Sequence, residues 1–127
     1  MLGRYHIVRG KRPPGDPLPE GVRQDTRKHT RHVLRPDADA VASYLAAPGP
    51  AAWREFARDY EALLTRRRAA DRGAFDALAQ LAREQDVWLG CNCPTARNPD
   101  VLRCHTYLAL QFLSRAYADL EIVWPAG

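Results

Sequence analysis

Apolar positions recur along this chain with a helical period in its middle and a strand-like pattern near both ends. Trp53, Phe56, Tyr60, Leu63 and Leu64 fall at i, i+3, i+7, i+10 and i+11, one face of a helix beginning at about Ala51. Arg54, Glu55, Arg58, Asp59 and Glu61 occupy its other side. Phe75, Leu78, Ala79, Leu81 and Ala82 repeat the signal and predict a second helix from near Asp71 or Gly73. The run Arg66-Arg67-Arg68 closes the helix before it, where the macrodipole favours cations, and reads as structural charge. A shorter helix over residues 37–46 carries Val41, Tyr44 and Leu45, and Pro48-Gly49-Pro50 stops it.

The strand signals are shorter. Residues 4–9 (Arg-Tyr-His-Ile-Val-Arg) combine aromatic and β-branched side chains and predict a first strand. Residues 10–21 hold four prolines and three glycines, which excludes helix or a central strand and leaves a long loop. Residues 32–35 predict a short second strand ending at Pro36, and residues 86–91 a buried strand bounded by glycine. An irregular loop, a helix from about Asp100 or Leu102 to Tyr117, and a last strand over residues 120–124 complete the chain. Strand, helix, strand in about forty residues is a βαβ unit, with parallel strands and a right-handed crossover. The fold class expected is therefore α/β: one domain over residues 1–127, with a small, mainly parallel sheet, packed helices and a C-terminal βαβ unit. Residues 10–35 form a Pro/Gly-rich and then basic loop region.

At 127 residues, 46% of them hydrophobic and 27% charged, the chain matches globular usage and has material for one core. No apolar run approaches the roughly 20 residues of a membrane span, and the first ten residues lack a signal-peptide apolar stretch. Three cysteines are an odd number, unsuited to a disulfide framework, so a cytoplasmic location with reduced thiols is expected. Charge is unevenly placed. Residues 1–35 carry nine Lys or Arg against three acids, whereas residues 36–127 carry ten against twelve. Arg23, Arg27, Lys28, His29, Arg31 and His32 form the densest basic stretch, which can attract phosphates or remain a solvated loop. Aromatic residues are not interleaved with it, as they are in platforms for single-stranded nucleic acid.

All three cysteines fall within one fifteen-residue stretch: Cys91, Cys93 and Cys104, the last followed by His105. It begins at the carboxyl end of the strand over residues 86–91, where ligands of open α/β sheets bind. Three thiolates and an imidazole suit tetrahedral zinc, or iron; alternatively three cysteines bind and His105 stands beside them, leaving a position open. Thiol chemistry needs fewer residues. Cys104, flanked by Arg103 and His105 near a helix start, is a candidate nucleophile with His105 as acid or base and Cys91 or Cys93 as a resolving thiol. One point opposes this, because Asn98-Pro99 resembles a helix cap that would put Cys104 in the second turn. In the purely structural alternative Cys91 is core, Cys104 packs under its helix with Leu108 and Phe112, and only Cys93 is exposed.

The order of these features resembles a known family. Trp53-Arg54-Glu55-Phe56 through Tyr60, then Leu78 through Ala82, then the strand ending Leu89-Gly90-Cys91, then Cys104-His105 opening a helix, is similar to the YeaO-like family of small α/β proteins. A related family has a segment of the form G-C-W-C-x-P-x-x-C-H, similar to residues 91–105. The resemblance covers residues 50–115 and implies the same fold and a site at Cys91, Cys93, Cys104 and His105, without implying a reaction. The residue after His105 is Thr106, where the family frequently has arginine, and Arg97 or Arg103 are the substitutes near it in sequence. Three functions are expected in turn. The first is a zinc or iron site flanked by anion-attracting residues Arg27, Lys28, Arg31, Arg97 and Arg103, taking an anionic small molecule or nucleic acid. The second is a Cys104/His105 enzyme acting on a nucleotide or phosphorylated substrate. The third is a nucleic-acid or protein-binding module with structural cysteines.

Overall fold

The computed structural model describes residues 1–126. Its elements are β1 (Leu2–His6), β2 (Val22–Asp25), α1 (Ala38–Ala46), α2 (Pro50–Ala70), α3 (Arg72–Glu84), β3 (Val87–Cys91), a 3-10 turn (Val101–Arg103) and α4 (His105–Ala116). The strands make one parallel sheet in the order β1-β3-β2, with Val87 of β3 opposite Leu2 on one side and Val22 on the other. The α/β class and the parallel sheet are those expected from the sequence.

The helices form where the apolar period runs. α2 opens with Pro50 in its first turn, where a missing N–H costs nothing, and buries Phe56, Tyr60 and Leu64. The Asp71 side chain accepts from Ala74 N at 3.3 Å and so caps α3, which buries Phe75, Leu78, Ala79 and Ala82. α4 lies against α2 and against β1 and β3, and its Leu110 and Leu113 are fully buried with Leu2, Val87 and Leu89 of the sheet. Central β3 needs its glycine. A Cβ on Gly90 would stand 2.7 Å from the Tyr5 ring and 2.8 Å from Ile7, two side chains that cross over it from β1 and the residue beyond.

Three sequence expectations change. Residues 32–35 are turns rather than a strand: Tyr60 donates its hydroxyl to Leu34 O at 2.7 Å and Arg67 donates to Val33 O and Arg35 O, so side chains of α2 hold this backbone. Arg67 of the tri-arginine run thus has a specific task. The second strand is instead β2, inside the stretch expected to be loop, where Val22 N donates to Asp86 O at 2.8 Å. The last strand is reduced to one parallel bridge, Leu2 with Ile122, made by Leu2 N to Glu121 O and Val123 N to Leu2 O. Its direction is as expected, but it lies beside β1, so β1 separates it from β3.

Candidate functional site

β3 delivers Cys91 at its carboxyl end, Cys93 follows two residues on, and Cys104 returns as the residue that caps α4. The three sulfurs lie within 4.8 Å of one another, with Cys91 and Cys93 Sγ 3.9 Å apart. Sulfurs around a tetrahedral zinc, each bonded at about 2.3 Å, stand about 3.8 Å apart, so the group has nearly the size such an ion requires. All three side chains are buried, at 5%, 9% and 2% exposure for Cys91, Cys93 and Cys104. The expectation that Cys93 alone is exposed therefore fails. Nor does Cys104 join the main core through Leu108 and Phe112; the cysteines form a cluster of their own.

Asn98 does not cap a helix. Its side-chain amide donates to Cys93 Sγ at 3.3 Å and to Arg103 O at 2.9 Å, tying the two ends of the loop together. Asp100 caps the 3-10 turn by accepting from Leu102 N, and α4 starts only at His105. Cys104 thus stands at the positive end of the helix dipole, where a thiolate is favoured.

The protons around Cys104 can be assigned. Thr26 Oγ1 lies 3.0 Å from Gly90 O, to which it donates its one hydrogen, and 2.8 Å from His105 Nε2. It must accept from Nε2–H, which leaves Nδ1 of a neutral His105 as the acceptor, 3.8 Å from Cys104 Sγ. Thr106 is arranged in the same way: Arg4 Nε donates to its Oγ1 at 2.9 Å, and the hydroxyl donates to Cys104 Sγ at 3.2 Å. Arg4 also donates to Cys93 O at 2.7 Å. Hydrogen bonds from the Cys91 and Cys93 thiols hold the Cys104 thiol well below its ordinary range. The Cys93 thiol is pushed up to about 11, chiefly by its hydrogen bond to Cys104, and Cys91 is raised by its bonds to Cys104 and Cys93.

The sulfurs face a cleft of 510 Å³. Arg27, Lys28, Arg97 and Arg103 line it together with Cys91, Cys93, Cys104 and His105, so the basic segment does fold over the cysteines. Arg31 is exposed and is not among the lining residues, and Arg23 is engaged with Pro19 O. Arg27 is held by Asp25 at 2.8 Å, with Asp25 lowered mainly by that bond. His29 is on the rim, whereas His32 is taken up by Gln24 and Leu34 N. The part of the lining that comes from α1 and α2 is apolar: Val41, Tyr44, Leu45, Trp53 and Phe56.

Sequence reasoning missed Arg4, Thr26, Asn98 and Thr106. Thr106 had been singled out only as a departure from the pattern the resemblance suggested; Arg4 of β1 donates to its hydroxyl at 2.9 Å. No helix among the described residues is long and apolar enough to cross a membrane. No curated protein and no solved structure matches the chain. A family model described as the active DUF488-N3 subclade matches residues 7–116, which include the whole cluster and every residue that lines the cleft. The chain belongs to the DUF488-N3a family, within the DUF488 domains of unknown function that also include YeaO.

Proposed function

We propose that Cys91, Cys93 and Cys104 hold one zinc or iron ion at the floor of the cleft, with a fourth position open to a small anionic ligand. The observation that carries this reading is the mutual approach of three buried sulfurs within 4.8 Å, from a strand end, a loop and a helix cap. Soft thiolates select zinc or iron over the hard divalent ions. His105, with Nε2 spent on Thr26, stands beside the ion and offers Nδ1 as acid or base toward the open position. Three thiolates leave a divalent ion with a net charge of −1, and Arg4, Lys28, Arg97 and Arg103 offset it. Lys28, Arg97 and Arg103 line a cleft, which suits a small anion better than a nucleic-acid strand. Cobalt(II) added to metal-free protein tests the site. Sulfur-to-metal absorption saturating at one ion per chain, and lost in Cys104→Ser, is the expected result. A spectrum without that absorption overturns the reading.

The His105 geometry favours a second reading. A thiolate at a helix cap, with an imidazole nitrogen 3.8 Å away whose tautomer is fixed from behind, is the arrangement of a cysteine nucleophile and its base. Cys104 would then attack a nucleotide or other phosphorylated substrate without metal. Under this reading Cys104 alkylates in metal-free protein below pH 8, and protection by one equivalent of zinc at stoichiometric affinity speaks for the metal centre instead.

A further inference from the structure

We infer that the cleft binds a mononucleotide, its base against the aromatic wall and its phosphate on the cationic rim beside the sulfurs. The inference deepens the metal-site reading, on which it rests for the cleft floor. Its starting point is that the lining is of two chemical kinds: Tyr44, Trp53 and Phe56 are aromatic, and Lys28, Arg97 and Arg103 are cationic.

The aromatic wall is built and not incidental. Trp53 stacks on Phe56 at 5.4 Å between centroids and 18° between planes, and the Tyr44 ring meets its edge at 5.5 Å. Trp53 already carries Phe56 and the Arg103 guanidinium against its ring, so the aromatic surface left to the cleft is chiefly that of half-buried Tyr44. Such a surface is of no use to inorganic phosphate or to a small carboxylate, but it accepts any flat heterocycle, because every base has a π-face.

Arg103 joins the two kinds. Its guanidinium carbon lies 5.6 Å over the Trp53 ring, and its own carbonyl is fixed by Asn98. A guanidinium positioned over a ring in this way can still offer its N–H groups to phosphate oxygens. No acidic partner of Arg103, Lys28 or Arg97 occurs in the ion pairs of the described residues, whereas Arg27 is already matched by Asp25. Three cations are thus available to an anion. Arg103 is next to Cys104 in the chain, so a phosphate there also lies near the floor. The 510 Å³ volume falls within the roughly 300–1,000 Å³ of small-molecule sites.

The test is calorimetry with the four ribonucleoside monophosphates, their nucleosides and inorganic phosphate, on protein whose metal content has been measured, as purified and after chelation. Fluorescence titration of a Trp88→Phe/Trp124→Phe chain reports Trp53 alone. We expect at least one monophosphate to quench Trp53 and to bind about tenfold or more tighter than both its nucleoside and phosphate. Arg103→Ala should weaken that monophosphate by about tenfold while leaving the nucleoside within about twofold. The inference is overturned if no monophosphate exceeds inorganic phosphate, or if Arg103→Ala binds as the parent does. Stoichiometric metal without nucleotide binding removes this inference alone. Nucleotide binding by protein that is purified without metal supports it and removes the metal centre.

Discussion

Cys104 differs from its two partners because of what donates to it. Thr106 O–H, the neighbouring thiols and the start of α4 all direct positive ends at one sulfur, while Cys91 and Cys93 keep their protons. In metal-free protein the folded pKa of Cys104 is below its unfolded value of about 8.5, so its stabilising contribution is full above that pH. The contribution is lost as pH falls through the depressed folded value. Urea midpoints of metal-free wild type and Cys104→Ser should therefore converge on acidification, and a difference independent of pH would refute the assignment. Thr26 is the second residue with a specific task. Thr26→Val keeps the shape but leaves the buried His105 Nε2–H without an acceptor, which should cost about 1–3 kcal/mol in denaturant unfolding. No measurable loss would mean that His105 carries the other tautomer. The roles of the two threonines were not legible in the sequence, because they depend on β1, the end of β2, β3 and α4 converging from more than sixty residues apart.

At the scale of elements, legibility followed the strength of the period. α2, α3 and β3 carry long or continuous apolar patterns and appear where those patterns are, although α2 extends to 21 residues. β2 has one apolar residue in Val-Arg-Gln-Asp, since it lies at a sheet edge and is specified by pairing with β3. Residues 32–35 looked like a strand because Val33 and Leu34 are apolar. Leu34 is indeed fully buried, but the Tyr60 hydroxyl on Leu34 O takes the place of a strand neighbour. Tyr60→Phe should lose about 1–2 kcal/mol by leaving that buried carbonyl unpaired. A variant as stable as wild type would assign the loop's position to Arg67 instead. Gly21 sets the entry of β2. It has φ of +122°, and a Cβ there would stand 2.5 Å from Asp86 O, so Gly21→Ala should destabilise by about 2–4 kcal/mol. Wild-type stability in that variant would show that β2 can shift its register.

Across the whole molecule, the sheet places the cysteines, the loop over residues 26–36 brings Arg27 and Lys28 to them, and the segment between β3 and α4 adds Arg97 and Arg103, so stability and ligand chemistry share one end of the fold. The position of the site was legible because all three cysteines and His105 are local in sequence. The cleft was not, because Arg27, Tyr44 and Trp53 reach it from separate elements through tertiary packing. Since the sulfurs link β3 to α4, metal binding and folding should be coupled. An ion present at about a thousand times its dissociation constant would add about 4 kcal/mol, so chelation should lower the melting temperature by several degrees. A melting temperature unchanged by chelation would separate metal from folding. The most direct measurement is elemental analysis of protein purified without a metal-binding tag, paired with thiol reaction rates before and after chelation. One zinc or iron per chain, with the three thiols reacting only after chelation, is the predicted result. No bound metal, and three thiols reacting at the same rate in both states, would contradict the metal centre.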